Sequence, residues 1–226
     1  MVKLIFLCRR RPDITHERYS DLLLSGHVPI ALRHHPTMRR YVVNIVDQTP
    51  DGWDALDSIG ELSFDSLDDF RDRLYDSPAG KVIIERDVAG FMGGADAYAT
   101  TEHVQKQPAG GPVFGRRSVG VKLVCPIVRR GGMSHSDFVD HWLHRHVPLA
   151  LAHHPGMTKY VTNVVDQRLG NAGPDLDGIA ELHFPSAQAL TAGMFDSPEG
   201  ERIIRDDIAR FIGRTAAYHV AEYPQR

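Results

Sequence analysis

Two histidines stand directly before a Val-Pro pair: His27 before Val28-Pro29, and His146 before Val147-Pro148. Imidazole titrates near neutrality and gives or takes a proton without a cofactor. Both fall near the end of a predicted first helix. Each is therefore either a general base or acid in a cleft, or a helix-ending histidine bonded to nearby backbone. Tyr41 and Tyr160 open a predicted second strand, with Asn44 and Asn163 three residues further on. A phenol beside a histidine polarises a carbonyl or steadies an enolate. The alternative is an aromatic ring filling a half-buried strand. Strand residues three apart face opposite sides, so each tyrosine and asparagine should part company. Trp142 offers a flat wall and an N–H donor to an aromatic substrate, or else packs in the core.

The remaining histidines are weighed the same way. His34-His35-Pro36 and His153-His154-Pro155 are paired sets near predicted helix ends. Adjacent residues cannot face one way, so one of each pair should point inward, as a second proton-transfer or substrate-binding group or as a partner of a carbonyl. His141, His144 and His146 invite a metal reading. Positions i and i+3 of a helix share a face, but i+5 points away, so no metal site is expected. Glu61 and Glu181 lie inside apolar strands. Each needs a partner, and Lys3 and Lys122 across a seam are the preferred ones over a general-base role. Arg9-Arg10-Arg11 and Arg129-Arg130 end the first strands as solvated groups, or attract an anion to a pocket mouth.

The elements that position these residues come twice. Val2-Lys3-Leu4 returns as Val121-Lys122-Leu123, His34-His35-Pro36 as His153-His154-Pro155, and Tyr41 to Gln48 as Tyr160 to Gln167, all 119 residues later. One inserted residue near Asn171 makes the offset 120 for Asp76-Ser77-Pro78 against Asp196-Ser197-Pro198. The polar, Pro- and Gly-rich stretch between the copies reads as a linker. The expected organisation is a first repeat at 1–104, a linker at 105–118 and a second repeat at 119–226. Within each copy the predicted order is a strand (Val2 to Leu7; Val119 to Val128), a helix capped by Thr15 or Ser134, and a fresh helical segment opened by proline. Two strands, a helix, a Ser-Pro helix restart and a last strand follow, with the last strand at Ala95 to Thr101 and Thr215 to Ala221. That is the β-α-β-β-α-β, ferredoxin-like plait of an α+β protein. Its bare sheet face and open edges are served by a second copy. The expected fold is thus an intramolecular eight-stranded antiparallel barrel with helices outside and pseudo-twofold symmetry.

Composition excludes several classes. The 226 residues carry 26 Lys+Arg against 29 Asp+Glu, a formal net charge of −3, without the basic excess of a nucleic-acid groove. Two cysteines, Cys8 and Cys125, make no disulfide scaffold and fit a reducing cytoplasm. No apolar run is long enough to cross a bilayer, and the first residues do not resemble a signal peptide.

The aromatic-x3-His-x-Pro run, the Met-x-x-Tyr-Val strand, the Glu-Leu-x-Phe strand, the Ser-Pro-x-Gly turn and the Asp-x-Ala-x-Phe helix together resemble the EthD-like branch of the dimeric α+β barrel superfamily. The second copy matches through Trp142, His146, Pro148, Tyr160, Glu181, Phe184, Ser197, Pro198, Asp207 and Phe211. The first keeps His27, Tyr41, Glu61 and Asp87 but has Leu23 in place of the tryptophan. The resemblance implies a histidine facing a space between helices and sheet. It also implies cofactor-free proton-transfer chemistry by His146 and His27 on a hydrophobic, carbonyl-bearing small molecule: a lyase or isomerase performing dehydration, decarboxylation or cyclisation. Relatives that are haem enzymes or cofactor-free monooxygenases supply an oxidative alternative, and a ligand-binding accessory protein is a further one. Exposed sheet edges leave room for a homodimer.

Overall fold

The computed structural model describes residues 1–108, 110–170 and 173–226. Ala109 of the expected linker and the insertion point near Asn171 lie outside the described residues. The first repeat runs β1 (Val2–Arg10), α1 (His16–Asp21), a π-helical segment (Leu22–His27), α2 (Val28–His34), β2 (Arg40–Gln48), β3 (Ser58–Phe64), α3 (Leu67–Arg71), α4 (Pro78–Ala89) and β4 (Met92–Lys106). The second runs β5 (Val121–Arg129), α5 (His135–His141), a π-helical segment (Trp142–His146), α6 (Val147–His153), β6 (Lys159–Leu169), β7 (Gly178–Phe184), α7 (Ala187–Gly193), α8 (Pro198–Phe211), β8 (Ile212–Thr215) and β9 (Tyr218–Pro224). β8 and β9 lie along the same side of β5 and together do the work of β4 in the first copy. β4 is longer than its expected span and takes in residues 105 and 106 of the expected linker.

All strand pairs are antiparallel, and the order β7-β6-β4-β1-β3-β2-β9-β5 closes on itself through β5–β7. The result is an eight-stranded barrel with the helices outside. Two seams join the repeats. β4 meets β6 from Ala97↔Leu169 to Lys106↔Tyr160, and β2 meets β9 from Val42↔Pro224 to Gln48↔His219. Edge pairing, the expected route to a homodimer, is thereby used within the chain.

Strand alternation divides the side chains into two environments. Leu4, Tyr41 and Phe64 face the helices of the first repeat and cluster with Phe91 just past α4, as Leu123, Tyr160 and Phe184 cluster with Phe211 of α8 in the second. Inside the barrel, Ile5, Ile59, Tyr98, Val124, Ile179 and Tyr218 fill one end. The other end is ionic. Lys3 Nζ donates to Glu181 (2.5 Å), Glu61 (2.7 Å) and Glu102 (3.0 Å). Lys122 Nζ donates to Glu61 (2.6 Å), Glu181 (2.8 Å) and Glu222 (3.0 Å). Each ammonium thus spends its three N–H donors on three carboxylates, and Glu61 and Glu181 each bridge both lysines. The Nδ2 groups of Asn44 and Asn163 donate to the same two glutamates. The cross-seam pairing expected for Glu61 and Glu181 is what the barrel contains.

The arginines that end the first strands are staples. Arg10 binds Asp57 at 2.6 Å, Arg129 binds Asp177, and each aspartate also accepts the arginine's own backbone N–H and a ring nitrogen contact from His16 or His135. Burial would raise Asp57, but these hydrogen bonds hold its carboxyl below the usual range. Among the described residues no helix is long and apolar enough to cross a membrane.

Candidate functional site

α1 and α5 begin as the sequence predicts. Thr15 Oγ1 accepts from Arg18 N and Ser134 Oγ from Asp137 N. The hydrogen-bond ladder then slips. Val28 N–H reaches Leu23 O, and Val147 N–H reaches Trp142 O, each five residues back. Proline explains the slip. Pro29 and Pro148 have no N–H to continue an α-ladder, and their rings crowd the carbonyl four residues earlier. A widened turn relieves both problems, and such turns concentrate at functional sites.

The slip has a chemical consequence. In a π turn, residues five apart come onto one face. His141 Nε2 and His146 Nδ1 both lie 2.9 Å from Asp207, one on each carboxylate oxygen. The expectation that i and i+5 point apart is corrected here, because it assumed an unbroken α-helix. Phe211, one turn along α8 from Asp207, carries both imidazoles. His141 stacks on it at 4.7 Å and 22°, and His146 tilts against it at 5.1 Å. Burial would raise the Asp207 carboxyl, but the hydrogen bonds from His146 and His141 hold it below its usual value. With Nδ1 on the carboxylate, His146 keeps Nε2 without a hydrogen bond among the described residues. His144 is exposed. Among the described residues, no group of three or more His, Cys, Asp or Glu is arranged to hold a metal ion.

The first repeat carries a reduced version. His27 Nδ1 lies 2.8 Å from Asp87, and its ring tilts on Phe91 at 5.6 Å. Leu22 occupies the place of His141. Burial pushes His27 below its ordinary value against the pull of Asp87. The aspartates were legible only as part of the Asp-x-Ala-x-Phe run, and nothing in their spacing joins them to a histidine 60 residues away.

The other candidates take separate places. Trp142 donates Nε1–H to the Tyr160 hydroxyl at 3.1 Å, both deep in the core between helices and sheet. Burial pushes the Tyr160 and Tyr41 phenols up. The indole lies on Gly178, where a Cβ would fall 2.2 Å from its ring. The first repeat solves the same volume differently: Leu23 replaces the indole, and Tyr19 donates or accepts at Ser58 Oγ, 2.7 Å away, where the second copy has Phe138 and Gly178. Phe138, Trp142, Tyr160, Phe184 and Phe211 together fill the helix-facing volume of the second repeat. The residues present therefore do not fit a haem there, which the resemblance allows for some relatives.

His34 and His153 lie against Asp76 (3.0 Å) and Asp196 (3.1 Å), whose own neighbours Ser77 and Ser197 cap α4 and α8. A Cβ on Gly80 or Gly200 would strike that aspartate, which explains the glycine of the Ser-Pro-x-Gly turn. His35 and His154 are buried and turn Nδ1 to the carbonyls of Leu74 and Met194. Burial pushes both below the ordinary imidazole value. Asn163 lies inside the barrel on Glu181, across the sheet from Trp142 and Tyr160. The structure thus brings together His141, His146 and Asp207, and separately Trp142 and Tyr160. A small cleft of about 170 Å³ between α6 and α8, lined by Leu149, Ile203, Asp207 and Arg210 among others, reaches Asp207 from solvent.

The fold has known counterparts. An anthrone oxidase-like protein superposes with a TM-score of 0.63 at 14% identity, over 99% of this chain and 92% of that one. Chlorite dismutase from Candidatus Nitrospira defluvii, in complex with imidazole, superposes with a TM-score of 0.58 at 11% identity, over 99% and 91% of the two chains. A protein of Fusobacterium nucleatum subsp. nucleatum gives 0.65 at 6% identity, over 100% and 94%. At these identities the likeness concerns the fold. No curated protein matches the chain by sequence. The EthD domain model matches twice, at residues 11–95 and 130–215, and each match spans the π-turn histidine and its aspartate partner. The chain therefore belongs to the EthD domain family and carries two copies of the domain.

Proposed function

We propose that the second repeat is a proton-transfer centre in which His146 is the acid–base group and Asp207 orients it. The observation that carries this reading is the 2.9 Å contact between His146 Nδ1 and Asp207, which fixes one ring nitrogen and leaves Nε2 available. The chemistry is that of a lyase or isomerase acting on a small, largely apolar carbonyl compound. Proton removal next to the carbonyl leads to dehydration or cyclisation, and proton delivery to the enolate left when a C–C bond breaks to release CO2 completes a decarboxylation. The cleft beside Asp207 supports entry from the α6–α8 face, and Leu149 and Ile203 give it an apolar wall. His27 with Asp87 is a second, simpler centre of the same type.

The test is hydrogen–deuterium exchange at the carbon next to the carbonyl, followed by NMR in D2O over small ketones, lactones and hydroxyketones. The intact protein should accelerate exchange for at least one compound. His146→Ala should slow it by roughly 10²–10⁴. Exchange that survives the change at full rate sinks the proposal.

A second reading, oxidation of an aromatic substrate by molecular oxygen, is favoured by the likeness to the anthrone oxidase-like protein. Oxygen uptake on hydroxylated aromatics, with no exchange in the D2O experiment, would select it.

A further inference from the structure

A cavity of about 340 Å³ opens at the apolar end of the barrel and shares no lining residue with the cleft beside Asp207. It is lined by Arg9, Trp53, Asp54, Asp96, Pro174 and Arg214 among others. The scaffold around it is repeated. Leu56 and Leu176, Asp57 and Asp177, and Tyr98 and Tyr218 are identical pairs. Tyr98 donates its hydroxyl to Pro174 O and Tyr218 to Asp54 O, both at 2.8 Å, so each tyrosine holds a loop of the opposite repeat over the mouth.

The lining breaks the repeat. Arg9 stands where the second copy has Val128, Asp96 where it has Ala216, and Arg214 where the first copy has Gly94. Trp53 has no tryptophan counterpart. Four departures from four distant stretches of sequence converge on one cavity. A merely structural loop end would not require that convergence.

The charges define what the cavity takes. Arg9 Nη2 is committed to Asp54 at 2.7 Å and to Asp96 at 2.8 Å, one cation against two carboxylates. Arg214 stands over the Trp53 ring at 4.2 Å and donates only to the Gly52 carbonyl, at 2.6 Å. It has no carboxylate partner among the described residues, so of the two arginines and two aspartates that line the mouth it is the guanidinium left free to meet an incoming group. Its planar fork matches a carboxylate, and the tryptophan fixes the plane in which that fork lies.

We propose that this mouth binds a small aromatic carboxylate. The carboxylate pairs with Arg214 and the ring lies against Trp53 and Pro174. The site shares no residue with the His146–Asp207 centre and does not depend on it.

The probe is intrinsic fluorescence. Trp53 lines the cavity, whereas Trp142 is buried in the core and serves as an internal reference. The full chain is titrated with benzoate, 4-hydroxybenzoate and 1-naphthoate. Saturable change is expected with at least one acid. The response should vanish in Trp53→Phe, and affinity should fall by about tenfold or more in Arg214→Ala, the loss of one charge-assisted pair. Arg214→Gln repeats the test should the alanine variant melt early. Benzyl alcohol, similar to benzoate in size but neutral, should bind at least about tenfold more weakly. The proposal is overturned if none of the acids gives a saturable change, if both Arg214 variants bind as well as the parent, or if the alcohol binds as tightly as the acid.

Discussion

Lys3 and Glu181, one from each repeat, form a 2.5 Å ion pair inside the barrel. With it, two lysines and four glutamates make a network in which both ammonium groups are fully bonded, and Arg40 adds a further pair to Glu102 at 2.6 Å. The pair fixes the register between the two halves, because any slip of β1 or β7 along its neighbours would bury an unpaired charge.

Lys122→Met tests that role. It leaves Glu61 and Glu181 with Lys3 alone and Glu222 with no paired ammonium. Breaking a buried pair from one side costs about 3–5 kcal/mol. The midpoint of urea unfolding should fall accordingly, with little change in slope. An unaltered midpoint would mean the charges are not closed off from water.

Acid should unfold the protein in two distinguishable windows. His183 is pushed down to about 4, mainly by burial and then by Lys122. The unfolded chain therefore binds its proton first, and stability drops as pH falls from about 6.5 toward 4, by up to about 1.4 kcal/mol per pH unit. Burial would raise Glu222, but Lys122 holds it at about 2. Its contribution is complete above the ordinary carboxylate range near 4.5 and disappears as pH falls toward 2. Urea midpoints measured against pH should show both windows. His183→Gln should flatten the upper one and Glu222→Gln the lower.

Gly178→Ala should destabilise by roughly 1–3 kcal/mol, because the new methyl group meets the buried Trp142 ring, which has nowhere to move. Trp142→Leu alone opens a cavity and should cost about 2–5 kcal/mol. Combining it with Phe138→Tyr and Gly178→Ser transplants the solution used in the first repeat, where Tyr19, Leu23 and Ser58 occupy the same positions. The triple variant should recover part of that loss. Equal midpoints for the single and triple variants would refute the equivalence of the two packings.

Asp207→Asn removes the charge that two imidazoles share. Nitrogen-detected NMR should show His146 in one tautomer, Nδ1–H toward the carboxylate, in the parent and a mixture in the variant. Stability should fall by about 1–3 kcal/mol through the hydrogen bonds lost. A single tautomer retained in the variant would mean that another group orients the ring.

Much of the architecture was readable because the sequence states it twice. A strand, two capped helices and three more strands with matching offsets leave few arrangements, and the Lys3–Glu181 and Lys122–Glu61 pairs follow from charges set in apolar strands. The catalytic candidates were less legible. His146 was found through its proline, but the partnership with His141 was not, because helical periodicity describes an α-ladder and Pro148 breaks that ladder. Asp207 lies 61 residues from His146 and announces itself by no spacing. Arg214 and Trp53, 161 residues apart in sequence, carry no sign of their partnership either: only the closed barrel puts them together.

Both seams of the barrel are made once per chain. In a symmetric pair of separate subunits every substitution appears on both sides of the axis and must be tolerated twice. Here Arg214 can face Trp53 while Gly94 stays a glycine, and His141 can join Asp207 while its counterpart Leu22 stays apolar. Fusion therefore lets one half elaborate its chemistry while the other keeps the shape that closes the ring.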